Sequence, residues 1–167
     1  MASDSSRTGW MPAMHHSIHG TAVAAVLVTA VVFLADRLTK QFFYAFPMAW
    51  HGPIASIVTL VHHENHGIIA NLPVPQPIII AVTLMIIAVV LGGLLRSIHR
   101  NEMQASIALG ILIGGALGNL FDRAVNGYVF DWILLFGRSA INLADASIVI
   151  GVVFYLGTLT DKKDPVV

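Results

Sequence analysis

The sequence predicts a membrane α-helical fold of four transmembrane helices, with short strand-like pieces beside them at one face. Three observations carry that prediction. The chain has 167 residues, of which 56% are hydrophobic and only 11% charged, whereas a soluble domain carries about 25% charged residues. Its mean hydropathy is +0.79. Its apolar residues are gathered into four runs, and a membrane span needs about 20 residues. Net charge is zero, so no basic face for nucleic acid is implied. The absence of cysteine excludes a disulfide framework, a thiolate zinc site and a cysteine nucleophile. The length fits one domain, expected over residues 21–160. Residues 1–20 read as a disordered cytoplasmic tail, and residues 161–167 as a short cytoplasmic tail.

The first run, TAVAAVLVTAVVFLA from Thr21 to Ala35, continues past Asp36, Arg37 and Lys40. Those charges stand where a signal peptide would need small cleavage-site residues, so the run is a retained helix. The second, Ile78 to Leu95, is uncharged and of spanning length. The third runs from Ala105 to Phe121 and the fourth from about Ile141 to Leu159, with Asn142 and Asp145 near its start. Between the first two helices, IASIVTLV alternates weakly and reads as a short strand or two. An extended linker containing Pro73, Pro75 and Pro77 follows. GYVFDWILLFG, bounded by Gly127 and Gly137, is a second strand-like piece. Exposed strand edges are not tolerated in hydrocarbon, so both pieces belong above it.

Orientation follows from the basic residues. No Lys or Arg occurs between Phe46 and Pro77, whereas Arg96 and Arg100 lie in the link after the second helix and Lys162 and Lys163 in the C-terminal tail. The positive-inside rule places both termini and that link in the cytoplasm. Arg123 and Arg138 fall on the outer side against this rule. The same parity gathers Asp36, Lys40, Asn119, Asp122, Arg123, Asp131, Asn142 and Asp145 toward the outer face. Ionisable residues at membrane helices are expensive and mark functional sites. Asp36 and Lys40, four apart on a helix, could simply neutralise each other, but that does not explain the others. Gly110, Gly114 and Gly118 form a small-residue stripe that lets a neighbouring helix approach closely.

Metal and serine chemistry find little footing. HHENH, His62 to His66, lacks the His-Glu-x-x-His spacing of a zinc-protease helix, and its segment reads as strand or loop, so no metal is expected. Ser97, Ser106, Ser139 and Ser147 have no nucleophile-elbow context. Carboxylates remain. Two aspartates held close cannot both ionise cheaply, so one keeps a proton while the other acts as a base. Such a pair can activate water against a peptide bond without metal, thiol or cofactor. Spacing alone leaves Asp122 as eligible as Asp131 to partner Asp145. The alternative, a small transporter or channel subunit, should show mid-span charges in several helices or repeated halves; neither is present.

Five blocks, in order, resemble the signal peptidase II family of lipoprotein signal peptidases. They are Asp36-Arg-Leu-Thr-Lys40, Asn65-His-Gly67, Gly118-Asn-Leu-Phe-Asp-Arg123, Gly127-Tyr-Val-Phe-Asp131 and Asn142-Leu-Ala-Asp145. The resemblance implies four transmembrane helices with a small extracytoplasmic β-cradle. It also implies an aspartic endopeptidase of the bacterial cytoplasmic membrane, acting as a monomer and without cofactors. The substrates would be prolipoproteins bearing a diacylglyceryl-modified cysteine, cut just before that cysteine, with membrane lipid as the other partner. By the same resemblance Asp131 and Asp145 are catalytic, and Asn65, Asn119, Arg123 and Asn142 line the substrate site. Asp36, Lys40 and Asp122 support it, Asp122 as a partner for Arg123 or backbone. Departures from the family pattern fall at Ile68 to Asn71, at Trp132 and at Ile141, and the stretch from Asp131 to Asp145 is short. They bear on the outer strands and lipid groove rather than on the two aspartates.

Overall fold

The structure, a computed structural model, describes residues 17–46, 57–67 and 74–160. The expected tails with Arg7, Lys162 and Lys163, most of the first outer connection and the Ile68 to Asn71 departure lie outside the described residues. Among the described residues four helices are long and apolar enough to span a membrane: α1 (Ile18–Ala45), α2 (Gln76–His99), α3 (Met103–Asn126) and α4 (Leu143–Thr160). Three strands, β1 (Val58–Asn65), β2 (Val129–Leu135) and β3 (Ser139–Ile141), pair antiparallel in the order β1-β2-β3. The predicted class is therefore the observed one. Several boundaries differ, each for a local reason.

The N-terminus of α1 is set by Ser17, whose hydroxyl accepts the Gly20 amide at 3.0 Å, satisfying a donor that the first turn leaves open. The prolines before the second span do not all belong to a linker. Pro75 is the N-cap of α2 and Pro77 sits in its first turn, where a missing N–H costs nothing. The third helix does not stop at Phe121 but runs one turn further, to Asn126. Gly127 closes it at φ 78°, its amide returning to the Arg123 carbonyl at 3.2 Å. A left-handed residue after the last turn is the usual stop, and glycine reaches it without a Cβ clash. Strand β3 was not anticipated. Ile141, expected to open the fourth helix, instead pairs with Ile133, and α4 begins at Leu143.

α3 is the inner helix, packed by α1, α2 and α4. Of its most apolar window 61% is buried, against 11% to 22% for the other spans, so α3 faces protein where they face lipid. The outward faces of the others carry large apolar side chains such as Val26, Val89 and Val153, as a lipid solvent requires. The glycine stripe has the packing role its spacing suggested. A Cβ at Gly110 would meet the Ala25 carbonyl at 2.9 Å, and one at Gly114 the Thr29 carbonyl at 2.8 Å. One step on, a Cβ at Gly118 would overlap the Asp36 carboxylate, so the last glycine of the stripe makes room for a charge. On the α4 side Gly115 and Gly151 allow the same approach.

The sheet rests on the C-terminal end of α1 through aromatic rings. Trp132 stacks on Phe43 with centroids 4.0 Å apart, and Phe130 meets Tyr44 edge-on at 5.6 Å. Side chains alternate along a strand, so Asp131, between these two, turns to the opposite face of β2.

Candidate active site

The polar residues of five sequence blocks meet at this end of the bundle. Lys40 is 2% exposed, an unusual position for an ammonium. Its Nζ lies 2.9 Å from Asp36 Oδ2, 2.8 Å from Asp122 Oδ2 and 3.0 Å from Asn119 Oδ1. Three acceptors for three protons leave the buried cation satisfied.

Asp36 does more than neutralise its i+4 neighbour. Its Oδ1 accepts the Ala144 amide at 3.0 Å, capping the start of α4 from a helix 108 residues away in sequence. Asp122, expected beside Arg123, is instead bound by Arg37 and Lys40. Consecutive helical residues point in different directions and cannot face each other. The backbone part of the expectation stands, since Asp122 Oδ2 also accepts the Phe130 amide at 3.4 Å. Arg37, which sequence reasoning did not single out, thus completes a cluster of two cations and two aspartates. Its guanidinium also lies 4.6 Å over the Phe121 ring.

Arg123 faces the outer connection. It donates to the Gly67 carbonyl at 3.2 Å and to the Asn119 carbonyl at 3.5 Å, while its buried Nε has no partner among the described residues. Asn65 accepts the Gly67 amide at 3.0 Å and donates to Asp131 Oδ2 at 3.0 Å. The Asn-His-Gly block is therefore a local turn that ties β1 to β2 and presents one amide to Asp131.

Asn142-Leu-Ala-Asp145 has a physical reading that its letters did not suggest. Asn142 Oδ1 accepts the Asp145 amide at 3.0 Å, and Asp145 Oδ2 accepts the Asn142 amide at 3.2 Å. This is a capping box, reciprocal bonds between the N-cap and the third helical residue, built with Asn and Asp. Asp145 Oδ1 accepts from Asn119 at 2.7 Å. An anion in the first turn is also favoured by the helix dipole.

Asn142 joins the two aspartates. Its amide nitrogen donates to Asp131 Oδ1 at 2.6 Å and to Asn119 Oδ1 at 3.2 Å, while its backbone holds Asp145. Asp131 is fully buried and sits in β2, within the piece that the sequence marked as strand-like. Its pKa rises from 3.8 to about 6, first because burial penalises the anion and second because Asp145 is close. Hydrogen bonds from Asn65 and Asn142 and the charge of Lys40 pull the other way. The two carboxylates therefore differ in kind. Asp145 is fixed by a helix N-terminus and amide donors, and Asp131 is buried where its charged form is disfavoured.

His62 to Asn65 of the HHENH stretch lie in β1 and His66 follows its end; in an extended strand residues four apart are about 13 Å from one another. His62 packs its ring against Tyr44 and Phe130 at 5.1 and 4.8 Å, an aromatic contact that seats the sheet.

A family model described as signal peptidase (SPase) II matches residues 28–160. The lipoprotein signal peptidase of Pseudomonas aeruginosa (strain UCBPP-PA14) is 33% identical over 138 residues, covering 75% of this chain and 81% of that protein. That of Brevibacillus brevis is 31% identical over 146 residues, covering 82% and 95%. A bacterial membrane enzyme solved by the in meso method at 1.9 Å shares the fold, with a TM-score of 0.71 at 24% identity over 88% of this chain and 97% of that one.

Proposed function

Because this chain belongs to the signal peptidase II family, a family of membrane proteases, we propose that it is an aspartic endopeptidase with Asp131 and Asp145 as its dyad. Its substrates are diacylglyceryl-modified prolipoproteins, cut just before the lipidated cysteine. The observation that carries this reading is the asymmetric pair: Asp131 buried with its pKa raised to about 6, and Asp145 bonded in the first turn of α4, both gripped by Asn142.

In the starting state the pair shares one proton, placed on Asp131 because burial raises its pKa, and Asp145 acts as the base. Asp145 takes a proton from a water molecule, whose oxygen forms the new bond to the scissile carbonyl carbon. Asp131 gives its proton to the carbonyl oxygen, and a neutral gem-diol results. Asp131 then recovers a proton from one diol hydroxyl as the C–N bond breaks, while Asp145 passes its proton to the leaving nitrogen. This division of roles is the standard one for an aspartic pair. Arg123, with its open Nε, and Asn65 line the approach to the dyad and offer donors to the substrate backbone. Asn119 and Asn142 hold the carboxylates and contact the substrate beside them. Asp36, Lys40 and Asp122 fix the helix ends on which these groups stand. No cofactor enters these steps.

We further place the dyad at the extracytoplasmic face of a multi-pass protein of the bacterial inner membrane, with both termini in the cytoplasm. A scissile bond next to a lipid anchor must be met at the membrane surface, and the site lies there at the outer ends of α1 and α3. The transporter alternative has no support: the relatives described above are lipoprotein signal peptidases, and α2 carries no mid-span charge. The test is to incubate the purified protein in detergent with a diacylglyceryl-modified prolipoprotein and with its unmodified form. The expected result is a mass loss equal to the signal peptide from the modified form only. An intact modified substrate would reject the reading.

A further inference from the structure

Two cavities lie along the groove between α1 and α3 on the side of Asp122 that faces Arg37, whereas the dyad network is reached from Asp122 through Lys40 and Asn119. The two differ in chemistry. The deeper part is an apolar cavity of about 360 Å³ lined by Phe33, Leu117, Phe121 and Ala124. The part nearer the sheet is a polar cavity of about 320 Å³ lined by Arg37, Gln41, Asn126 and Tyr128. Arg37 and Phe121 form the seam, the guanidinium lying 4.6 Å over the ring.

Of the four charges in this region only Arg37 is accessible, its side chain 17% exposed against 0% to 2% for Asp36, Lys40 and Asp122. Both aspartates are turned inward, to Lys40 and to backbone amides. A molecule entering the polar cavity therefore meets the Arg37 guanidinium, two carboxamides and the phenols of Tyr44 and Tyr128, with the buried Lys40 and Asp122 behind them in the wall, and one entering the deeper cavity meets only hydrocarbon. That sequence of surfaces is complementary to an amphiphile with an anionic head. A guanidinium binds phosphate oxygens through several N–H groups at once. Gln41, Asn126 and Tyr128 offer both donors and acceptors, which suits hydroxyls on the head better than an ammonium.

We propose that this groove is a binding site for an anionic phospholipid of the surrounding membrane, with one acyl chain along Phe33, Leu117 and Phe121, its phosphate on Arg37, and a hydroxylated head group among Gln41, Asn126 and Tyr128. The site is separate from the dyad and needs no prolipoprotein. It meets the dyad network at Asp122, whose two oxygens are shared between Arg37 and Lys40, and at Lys40, which donates to Asn119.

Lipid retention measured by native mass spectrometry from detergent tests the site, with phosphatidylglycerol, phosphatidylethanolamine and free glycerophosphate as probes. The unaltered chain should hold phosphatidylglycerol about tenfold more tightly than phosphatidylethanolamine, the order of one hydrogen bond to a head-group hydroxyl that an ammonium does not reproduce. It should retain no glycerophosphate. Arg37→Gln should weaken both lipids, because both carry the phosphate it holds, and Asn126→Leu should narrow the preference between them. Ala124→Trp, which fills the apolar cavity from an exposed position and leaves Arg37 in place, should weaken both lipids together. Equal retention of the two lipids by the unaltered chain, or binding unmoved by Ala124→Trp, would overturn the proposal. Retention of glycerophosphate alone would make the site one for a free anion and would also overturn it. Should Arg37→Gln fail to fold, the lipid comparison and Ala124→Trp decide the matter.

Discussion

Replacing Lys40 by Met removes a buried cation while keeping most of its volume, and the consequence can be worked from its partners. Lys40 and Arg37 balance Asp36 and Asp122, so the cluster is neutral. Without Lys40, Asp122 keeps Arg37 and the Phe130 amide, but Asp36 keeps only the Ala144 amide. Asp36 is then an uncompensated charge in a fully buried site, and breaking a buried pair in this way costs about 3–5 kcal/mol. Loss of the bond to Asn119 adds about 1 kcal/mol. Against a total stability of about 5–15 kcal/mol, Lys40→Met should unfold much of the population under mild denaturation. Adding Asp36→Asn removes the stranded charge but retains an oxygen to accept from Ala144. The double variant should therefore be more stable than Lys40→Met alone, with a coupling of about 1–3 kcal/mol. Reversible unfolding in mixed micelles, followed by circular dichroism, measures all four corners of the cycle. A cost below about 1 kcal/mol for Lys40→Met, or additive effects, would refute the reasoning.

Gly118→Ala should destabilise by about 1–3 kcal/mol through overpacking against Asp36, whereas Gly92→Ala, with nothing within 4 Å of the new Cβ, should stabilise α2 by about 0.5–1 kcal/mol; the same unfolding assay separates them, and equal effects would contradict the packing account. Stability should also carry a pH signature of Asp131, whose folded pKa of about 6 lies above its unfolded value of 3.8. The folded state binds that proton more tightly, so this contribution is full below 3.8, declines as pH rises through about 6 and is absent above, a difference of about 3 kcal/mol. Subtracting the pH dependence of Asp131→Asn from that of the unaltered chain isolates it, and a difference that rises with pH would refute the sign. Topology can be read with single cysteines, because the chain has none of its own: Arg138→Cys should react with an impermeant maleimide in intact cells and Arg100→Cys should not, and the reverse would invert the orientation.

Hydropathy made the four spans legible because lipid demands long uninterrupted apolar runs, and the glycine spacing identified the packing face of α3. Pairings across the bundle were not legible. That Asp36 caps α4 depends on α1 and α4 meeting, which neither segment encodes alone. Asp122 and Arg123 looked like partners because they are neighbours in sequence, yet helical geometry sends one to Arg37 and Lys40 and the other to Gly67. The extra turn of α3 was hidden because its charges read as a boundary, when buried partners let them continue the helix. β3 is three residues long, too short for a period to show. In Asn142-Leu-Ala-Asp145 the capping box was visible in principle, since an Asn followed three residues later by an acid before an apolar run is an N-terminal signal. From residues alone Asp122 and Asp131 stayed equivalent as partners for Asp145, and only the resemblance chose between them. The geometry supplies a reason for that choice: Asp122 is occupied by two cations and an amide, while Asp131 is buried beside Asp145 and bonded to neutral amides.

The central claim is that Asp131 and Asp145 act as one proton-sharing unit. It is tested most directly by turnover per folded molecule of Asp131→Asn, Asp145→Asn and the double variant on a diacylglyceryl-modified prolipoprotein. Each single variant should lose essentially all cleavage while remaining folded, and the double should be scarcely worse than either, because members of one catalytic unit are not additive. Near-normal turnover by folded Asp131→Asn, or multiplicative losses in the double variant, would contradict the account.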